Sequence, residues 1–282
     1  MNRGSICAVA ATEELIMKRH PARFLSFFEA ALWGVLCLAL IGADVVLRPD
    51  WMSWHFVLVG SMLFGLGAVV NGACAFGVVG RIGSGQVEYL LTGVGILVGI
   101  VCARAAIPGH DMTLVDRSTA LSWPAAASIL IALILARYML AKQQLWEFLV
   151  LTAAVTLVGS LFVALGYLHQ PFPWINALAG LPDLDLNPVL AVVAVVTGST
   201  ANAAVTGRVR LEMPTLRGST RRLAGGALMG AGVVSVPGGN DGILLYGMPA
   251  GEPLAFVAYA AMIAMIGVSV TFVGRVTETW KS

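Results

Sequence analysis

LVGSMLFGLGAVVNGACAFG at 58–77 and LAGGALMGAGVVSVPGGNDG at 223–242 decide how this chain is read. Set against each other at an offset of 165 residues, they share Leu58/Leu223, Gly60/Gly225, Leu63/Leu228, Gly65/Gly230, Gly67/Gly232, Val69/Val234 and Gly77/Gly242. After one inserted residue the register runs on, with Gly85 against Gly251. Both stretches lie in runs apolar enough to enter a bilayer. Each is interrupted by poor helix formers, Asn71-Gly72-Ala73-Cys74 in the first and Pro237-Gly238-Gly239-Asn240 in the second. A helix broken in lipid exposes backbone N–H groups that hydrocarbon cannot satisfy, so a break persists only where protein or a water-lined cavity meets it. Glycine at such spacing also serves close helix packing. The matched positions and Pro237 favour a break, and matched Gly-interrupted spans in two halves point to a solute pathway through a duplicated membrane protein.

Composition agrees. The 282 residues are 58% hydrophobic and 11% charged, with a mean hydropathy of +0.86; soluble domains carry roughly 25% charged residues. A net charge of +2 gives no electrostatic basis for a nucleic-acid partner. The four cysteines, Cys7, Cys37, Cys74 and Cys102, have neither CxxC nor Cys/His metal spacing, so no disulfide framework, metal or cofactor is expected. Glu13, Glu14, Lys18 and Arg19 exclude a cleavable signal over the first residues; a short cytosolic helix is expected within segment 1–22.

A bilayer core takes about 20 apolar residues per helix. Spans are expected near 24–47, 53–83 (broken), 87–107, 120–141, 146–168, 188–206, 223–249 (broken) and 253–274. Positive charge sets sidedness. Arg3, Lys18, Arg19 and Arg23 precede the first span; 207–222 carries Arg208, Arg210, Arg217, Arg221 and Arg222 against Glu212; Arg275 and Lys281 follow the last. On the other side, 108–119 carries Asp111, Asp116 and Arg117, and 168–187 carries Asp183 and Asp185 with no Lys or Arg. Eight crossings with both termini in the cytoplasm satisfy every bias. Trp51, Trp54, Trp123, Trp146 and Trp280 fall at span ends, where an amphipathic ring prefers the headgroup level. The expected fold is an all-α polytopic membrane protein. Residues 23–275 form one transport domain: repeat 1 (24–107), linker spans (120–168), an inverted repeat 2 (188–274), then a cytosolic tail, 276–282. Re-entrant hairpins in place of broken crossings would change the parity.

The start of the second half of a broken helix carries the positive end of a dipole and suits an anion. Two such ends meeting from opposite sides make a narrow midplane constriction for a small anion; Asp241 opposes that polarity. The residues expected along the pathway are Asn71, Gly72, Cys74, Gly77, Arg81, Pro237, Gly238, Gly239, Asn240 and Asp241. Arg81 either draws anions to the inner mouth or anchors the span. Gly239→Val is expected to block the constriction with little loss of folding. No GxxxxGK[ST] motif supplies nucleotide energy, which leaves passive conduction. Ser84 and His55 are not placed together and no nucleophile elbow exists, so the chain does not read as an enzyme.

The runs FGLGAVVNGACAFGVVGRIGSG (64–85) and GGALMGAGVVSVPGGNDG (225–242) resemble the two signature motifs of the YeeE/YedE family of bacterial inner-membrane proteins, with a looser likeness from about 25 to 275. The resemblance implies an hourglass of inverted repeats that takes up thiosulfate or a related small sulfur anion across the inner membrane. It also implies constriction cysteines that meet the sulfur species in turn, and a small cytosolic sulfur-carrier protein as recipient. It makes Cys74 the substrate-contacting thiol. The second motif of the family commonly reads Gly-Gly-Cys-Asn, whereas here Gly239 stands opposite Cys74, followed by Asn240 and Asp241. With no family-like cysteine found near the N-terminus either, a cysteine-to-cysteine relay is not expected. One thiol plus backbone donors then suffices, or the chain moves another small solute, or it is a scaffold that docks the sulfur carrier through 207–222.

Other polar residues have plainer readings. Cys37 and Cys102 read as core. Glu88 and Glu252 sit near the starts of helices and suit their dipoles. Glu29, Asp44, Arg104 and Arg137 lie close enough to span ends to snorkel. Thr197, Ser199, Thr200 and Asn202 form a patch suited to interhelical hydrogen bonds or to the pathway wall.

Overall fold

A computed structural model describes residues 7–41, 45–49, 51–107, 112–116, 122–140, 175, 178, 186–249 and 251–279. In chain order its elements are α1 (Ala8–Lys18), α2 (Ala22–Ile41), β1 (Val45–Pro49), α3 (Trp54–Asn71), α4 (Ala75–Gly83), a 3-10 turn (Val87–Tyr89), α5 (Leu90–Arg104), β2 (Met112–Asp116), α6 (Trp123–Leu140), α7 (Leu186–Val205), α8 (Leu216–Val233), α9 (Gly239–Gly242), a π-helical turn (Ile243–Gly247) and α10 (Pro253–Thr279).

Glycine decides which helices meet. On α8, Gly225 and Gly232 face α3: a Cβ on Gly225 would stand 2.5 Å from the Asn71 nitrogen, and one on Gly232 would meet the Gly60 carbonyl. Gly67 of α3 answers, its missing Cβ lying 2.6 Å from the Met229 nitrogen. The α3 numbers rise as the α8 numbers fall, so the two helices, 18 residues each and about 27 Å long, run antiparallel. Gly226 and Gly230 turn to the other side of α8 and meet Thr92 and Ile96 of α5, which runs parallel to it. Gly65 of α3 presses on the Met262 carbonyl of α10. The packing order is therefore α5, α8, α3, α10, with Phe64, Ile96, Met229, Met262 and Ile266 buried between them. At these positions the packing reading of the glycines is correct.

The breaks are equally real. Helix α3 stops at Asn71, with Gly72 in the left-handed region at φ 77°, and α4 begins after Cys74. Helix α8 stops at Val233, and α9 begins at Gly239 after Gly238 at φ 69°. Nine residues of helix follow each break, Ala75–Gly83 in one half and Gly239–Gly247 in the other.

The spans expected from the sequence at 53–83, 87–107, 120–141, 188–206 and 253–274 each overlap a helix or broken helix, and that at 24–47 gives way to α2, which ends at Ile41, with residues 45–47 in β1; that at 146–168 lies outside the described residues. The one expected at 223 starts instead at Leu216, because Thr215 caps it by accepting the Gly218 N–H at 3.1 Å. Hydropathy sees only the apolar part of that helix and misses its arginine-bearing first turns. Among the described residues, Trp54–Gly83, Val87–Arg104 and Pro253–Phe272 are long and apolar enough to cross a membrane. Large apolar side chains such as Val98, Ile131, Leu190 and Phe272 point outward, and apolar faces of this extent suit contact with lipid.

One feature departs from an all-α reading: β1 and β2 form an antiparallel ribbon from Val45 against Asp116 to Pro49 against Met112. It joins the end of the expected first span and the residues just after it to the 108–119 connection. At the opposite end, Gln86 bridges Glu212, supported by Arg210 N–H to Ser84 O at 2.9 Å. Of the tryptophans expected at span ends, Trp54 and Trp123 open α3 and α6, while Trp51 packs half-buried against the core.

Candidate functional site

The two breaks meet. Asn240, at the start of α9, directs Nδ2 toward Cys74 Sγ at 4.0 Å, and both residues are fully buried. Cys74 is the residue before α4 and Asn240 lies within the first turn of α9, so the starts of the two second-half helices face each other through a thiol and an amide.

A second thiol, which the sequence reading left without a role, completes the cluster. Cys7 precedes α1, and the Ala8 N–H donates to Cys74 Sγ at 3.2 Å while the Cys74 N–H donates to Cys7 Sγ at 3.5 Å. Gly77 admits it: a Cβ there would come within 2.9 Å of Cys7 Sγ. Part of the N–H supply expected at the break is thus spent on sulfur. Only the run of small residues after Cys7, Ala8-Val9-Ala10-Ala11, hints in the sequence at such close approach. The N-terminal segment is accordingly packed into the protein, with Ala8 and Ala11 fully buried.

Asn71 is held on every side. Its Nδ2 donates to the Ala73 carbonyl at 2.8 Å, its Oδ1 accepts from Thr92 Oγ1 at 2.8 Å, and its own carbonyl accepts from Arg222 Nη1. A helix end leaves carbonyls without intrahelical partners. Gly72 N–H reaches those of Ala68 and Val69, while Arg221 donates from Nε to Val70 O at 2.5 Å and from Nη2 to Val69 O at 3.4 Å. Arg222 also pairs with Glu88 at 3.0 Å and lies 4.0 Å from the Tyr89 ring centre, which Arg81 approaches at 5.1 Å. Residues that served only as topology markers in the sequence therefore fasten the first break. Arg81 donates to Gln86 Oε1 at 3.2 Å and lines the cavity on this side.

The second break is closed by apolar groups. Gly239 has φ 58°, and a Cβ on it would stand 2.9 Å from both Ile175 Cδ1 and Phe64 Cε2. Gly239→Val is thus not the clean block expected from sequence, because it strains the backbone and collides with two buried side chains. Pro237 and Gly238 are buried in the connection, and the Pro237 carbonyl lies where a Cβ on Gly242 would point. Asp241 is 2% exposed; among the described residues its Oδ1 and the Asn240 Oδ1 have no hydrogen-bond partner. These are acceptors without donors inside the site.

Other expectations separate. Cys102 is exposed on α5, facing outward and not in the core as sequence suggested; nothing is described of the Cys37 side chain. Ser199 donates to Val79 O at 2.8 Å between α7 and α4, whereas Thr200 bonds within its own helix. Ser84 bonds to Gly80 O and His55 stacks on Trp54 at 3.7 Å.

Residues 3–110 and 104–269 match the sequence model of a family described as Sulphur transport. A curated relative, the Thiosulfate transporter TsuA of Spirochaeta thermophila, is 25% identical over 323 aligned positions, which cover 99% of this chain and 94% of that protein.

Proposed function

The chain belongs to the YeeE/YedE sulphur transport family, and from that premise we propose that it takes up a thiosulfate-like sulfur anion across the bacterial inner membrane, through a constriction between the two glycine-rich breaks. One observation carries the reading: Cys74 Sγ and Asn240 Nδ2 face each other at 4.0 Å where the two second-half helices begin. A thiol and an amide N–H are neutral donors, so they offer hydrogen bonds to an anion without trapping it as a fixed cation would. Cys74 contacts the sulfur species, and Cys7, joined to it by two N–H···S contacts, extends the sulfur-lined surface toward the α1 side.

Eight membrane segments in two inverted repeats accommodate this site. In support, α3 and α8 have equal length and run antiparallel, equal helical stretches follow their breaks, and the α8–α5 pairing has its counterpart in α3–α10. The arginine-rich 207–222 connection and both termini face the cytoplasm, where a small sulfur-carrier protein takes the cargo. The chemistry is transport with no bond made or broken by the protein.

Gly239, where the family motif has a second cysteine, favours a variant reading in which the same scaffold moves another small solute. Uptake of labelled thiosulfate into vesicles holding the purified protein, with unlabelled sulfate, sulfite and chloride as competitors, decides between them. Saturable thiosulfate uptake, suppressed by Cys74→Ala, is expected. Uptake no greater than in empty vesicles would overturn the thiosulfate assignment.

A further inference from the structure

The cavity on the α1 side stops one residue short of Cys74. It measures about 430 Å³, and Cys7, Gly72, Gly77, Arg81, Lys18 and Arg23 are among its walls. Cys74 is absent from those walls and fully buried. What separates them is the start of α1: Cys7 Sγ lies against Gly77 on the cavity side, while the Ala8 N–H donates to Cys74 Sγ at 3.2 Å on the other. We propose that this cavity is an inner vestibule holding a small divalent oxyanion, and that Cys7–Ala8 is the gate between it and Cys74. The proposal rests on the transport reading and adds to it a second binding site and a moving part.

The charges suit an anion. Arg81, Lys18 and Arg23 line the cavity together with Glu13 and Glu14, and Glu14 is already engaged by Arg23 at 3.4 Å. Arg81 contributes its charge beside a neutral Gln86 amide oxygen. Cys7 and Ala8 are buried, and what joins them to Cys74 is a pair of N–H···S contacts, in which sulfur is a weak acceptor. The rest of α1 is tied by the Glu14–Arg23 pair and by Thr12 and Ile16 packing on Gly267 of α10. A displacement of Cys7–Ala8 by about one side-chain width, small beside the segment motions that gate many sites, would join the vestibule to Cys74.

Locking the gate itself tests this. A Cβ on Gly77 would stand 2.9 Å from Cys7 Sγ and 3.3 Å from Cys7 Cβ, so Gly77→Cys can be bridged to Cys7 by copper–phenanthroline oxidation and the bridge verified by mass spectrometry. Thiosulfate flux in vesicles should fall about tenfold or more relative to the same variant reduced and to Gly77→Ser under the same oxidant, and return with dithiothreitol. Undiminished flux through the bridged protein overturns the gate. Cys74 should also react with a membrane-impermeant sulfonate methanethiosulfonate applied from the α1 side about tenfold more slowly when Gly77→Cys is bridged to Cys7 than when it is reduced, and equal labelling overturns the gate. Thiosulfate should slow labelling of Cys7 in the wild type; no protection overturns the vestibule site. If the wild type carries no thiosulfate, the transport reading falls, while labelling of Cys74 in bridged and reduced Gly77→Cys still decides the gate.

Discussion

Asn240 Nδ2 and Cys74 Sγ, 166 residues apart in the chain, lie 4.0 Å from each other in a fully buried setting. Apart from this contact, Cys74 Sγ accepts from the Ala8 N–H at 3.2 Å, a weak contact to sulfur whose loss the fold should survive. Cys74→Ala and Asn240→Ala should therefore leave a folded protein with flux reduced about tenfold or more, about 1.4 kcal/mol or more of lost stabilisation of the passing anion. Cys74→Ser, which keeps a donor, should fall between. Vesicle flux beside a thermal unfolding curve checks this; equal flux in all variants would make the pair ordinary packing.

Arg222 should matter to stability more than any other described surface-side charge. It joins three groups: the Asn71 carbonyl, the Glu88 carboxylate and the Tyr89 ring. Its side chain is 13% exposed and that of Glu88 16%, so removing one partner strands the other away from water. Arg222→Ala should destabilise by about 3 kcal/mol. Arg222→Lys should restore little, because an ammonium cannot reproduce the planar fork. Glu88→Gln should cost less, since Arg222 keeps its other two contacts. Melting temperatures in one detergent rank the three variants.

The legible part of this fold was the part written in hydropathy and glycine. The two breaks and most helix limits follow from the apolar runs and from residues that end helices. Three things were not legible. Helix α8 begins seven residues before its apolar run, because a Thr215 cap starts a helix that hydropathy scores as loop. Arg221 and Arg222 read as topology markers, since a carbonyl acceptor 151 residues away leaves no trace in their local sequence. Cys7 escaped because its partner, Cys74, is brought to it only by the docking of α1, and a single cysteine before a short helix carries no pattern.

Glycines of neighbouring helices should divide into two classes when replaced by alanine. At Gly67 a Cβ would stand 2.6 Å from the Met229 nitrogen and 2.7 Å from the Gly225 carbonyl, both backbone atoms that cannot swing aside. The helices must part, and Gly67→Ala should cost about 1–3 kcal/mol. At Gly93 of α5 nothing lies within 4 Å of the added carbon. Gly93→Ala should be neutral or stabilise by about 0.5–1 kcal/mol through the lost backbone freedom of glycine. Similar melting temperatures for the two variants would contradict the close α3–α8 contact.

Gly239 combines both difficulties and so separates folding from conduction. Its φ of 58° is one that a residue with a Cβ adopts at a cost of about 1–2 kcal/mol, and the added carbon would press on Phe64 and Ile175 at 2.9 Å. Gly239→Ala should lower the melting temperature even where flux is not measured, and Gly239→Val should do so more. Pairing Gly239→Ala with Phe64→Leu, which shortens the colliding ring, should recover part of the steric loss and none of the backbone loss. A double variant no more stable than Gly239→Ala would mean that the strain at this break lies in the backbone and the Ile175 contact, not in the contact with Phe64. Full recovery would mean that it is all in the contact with Phe64.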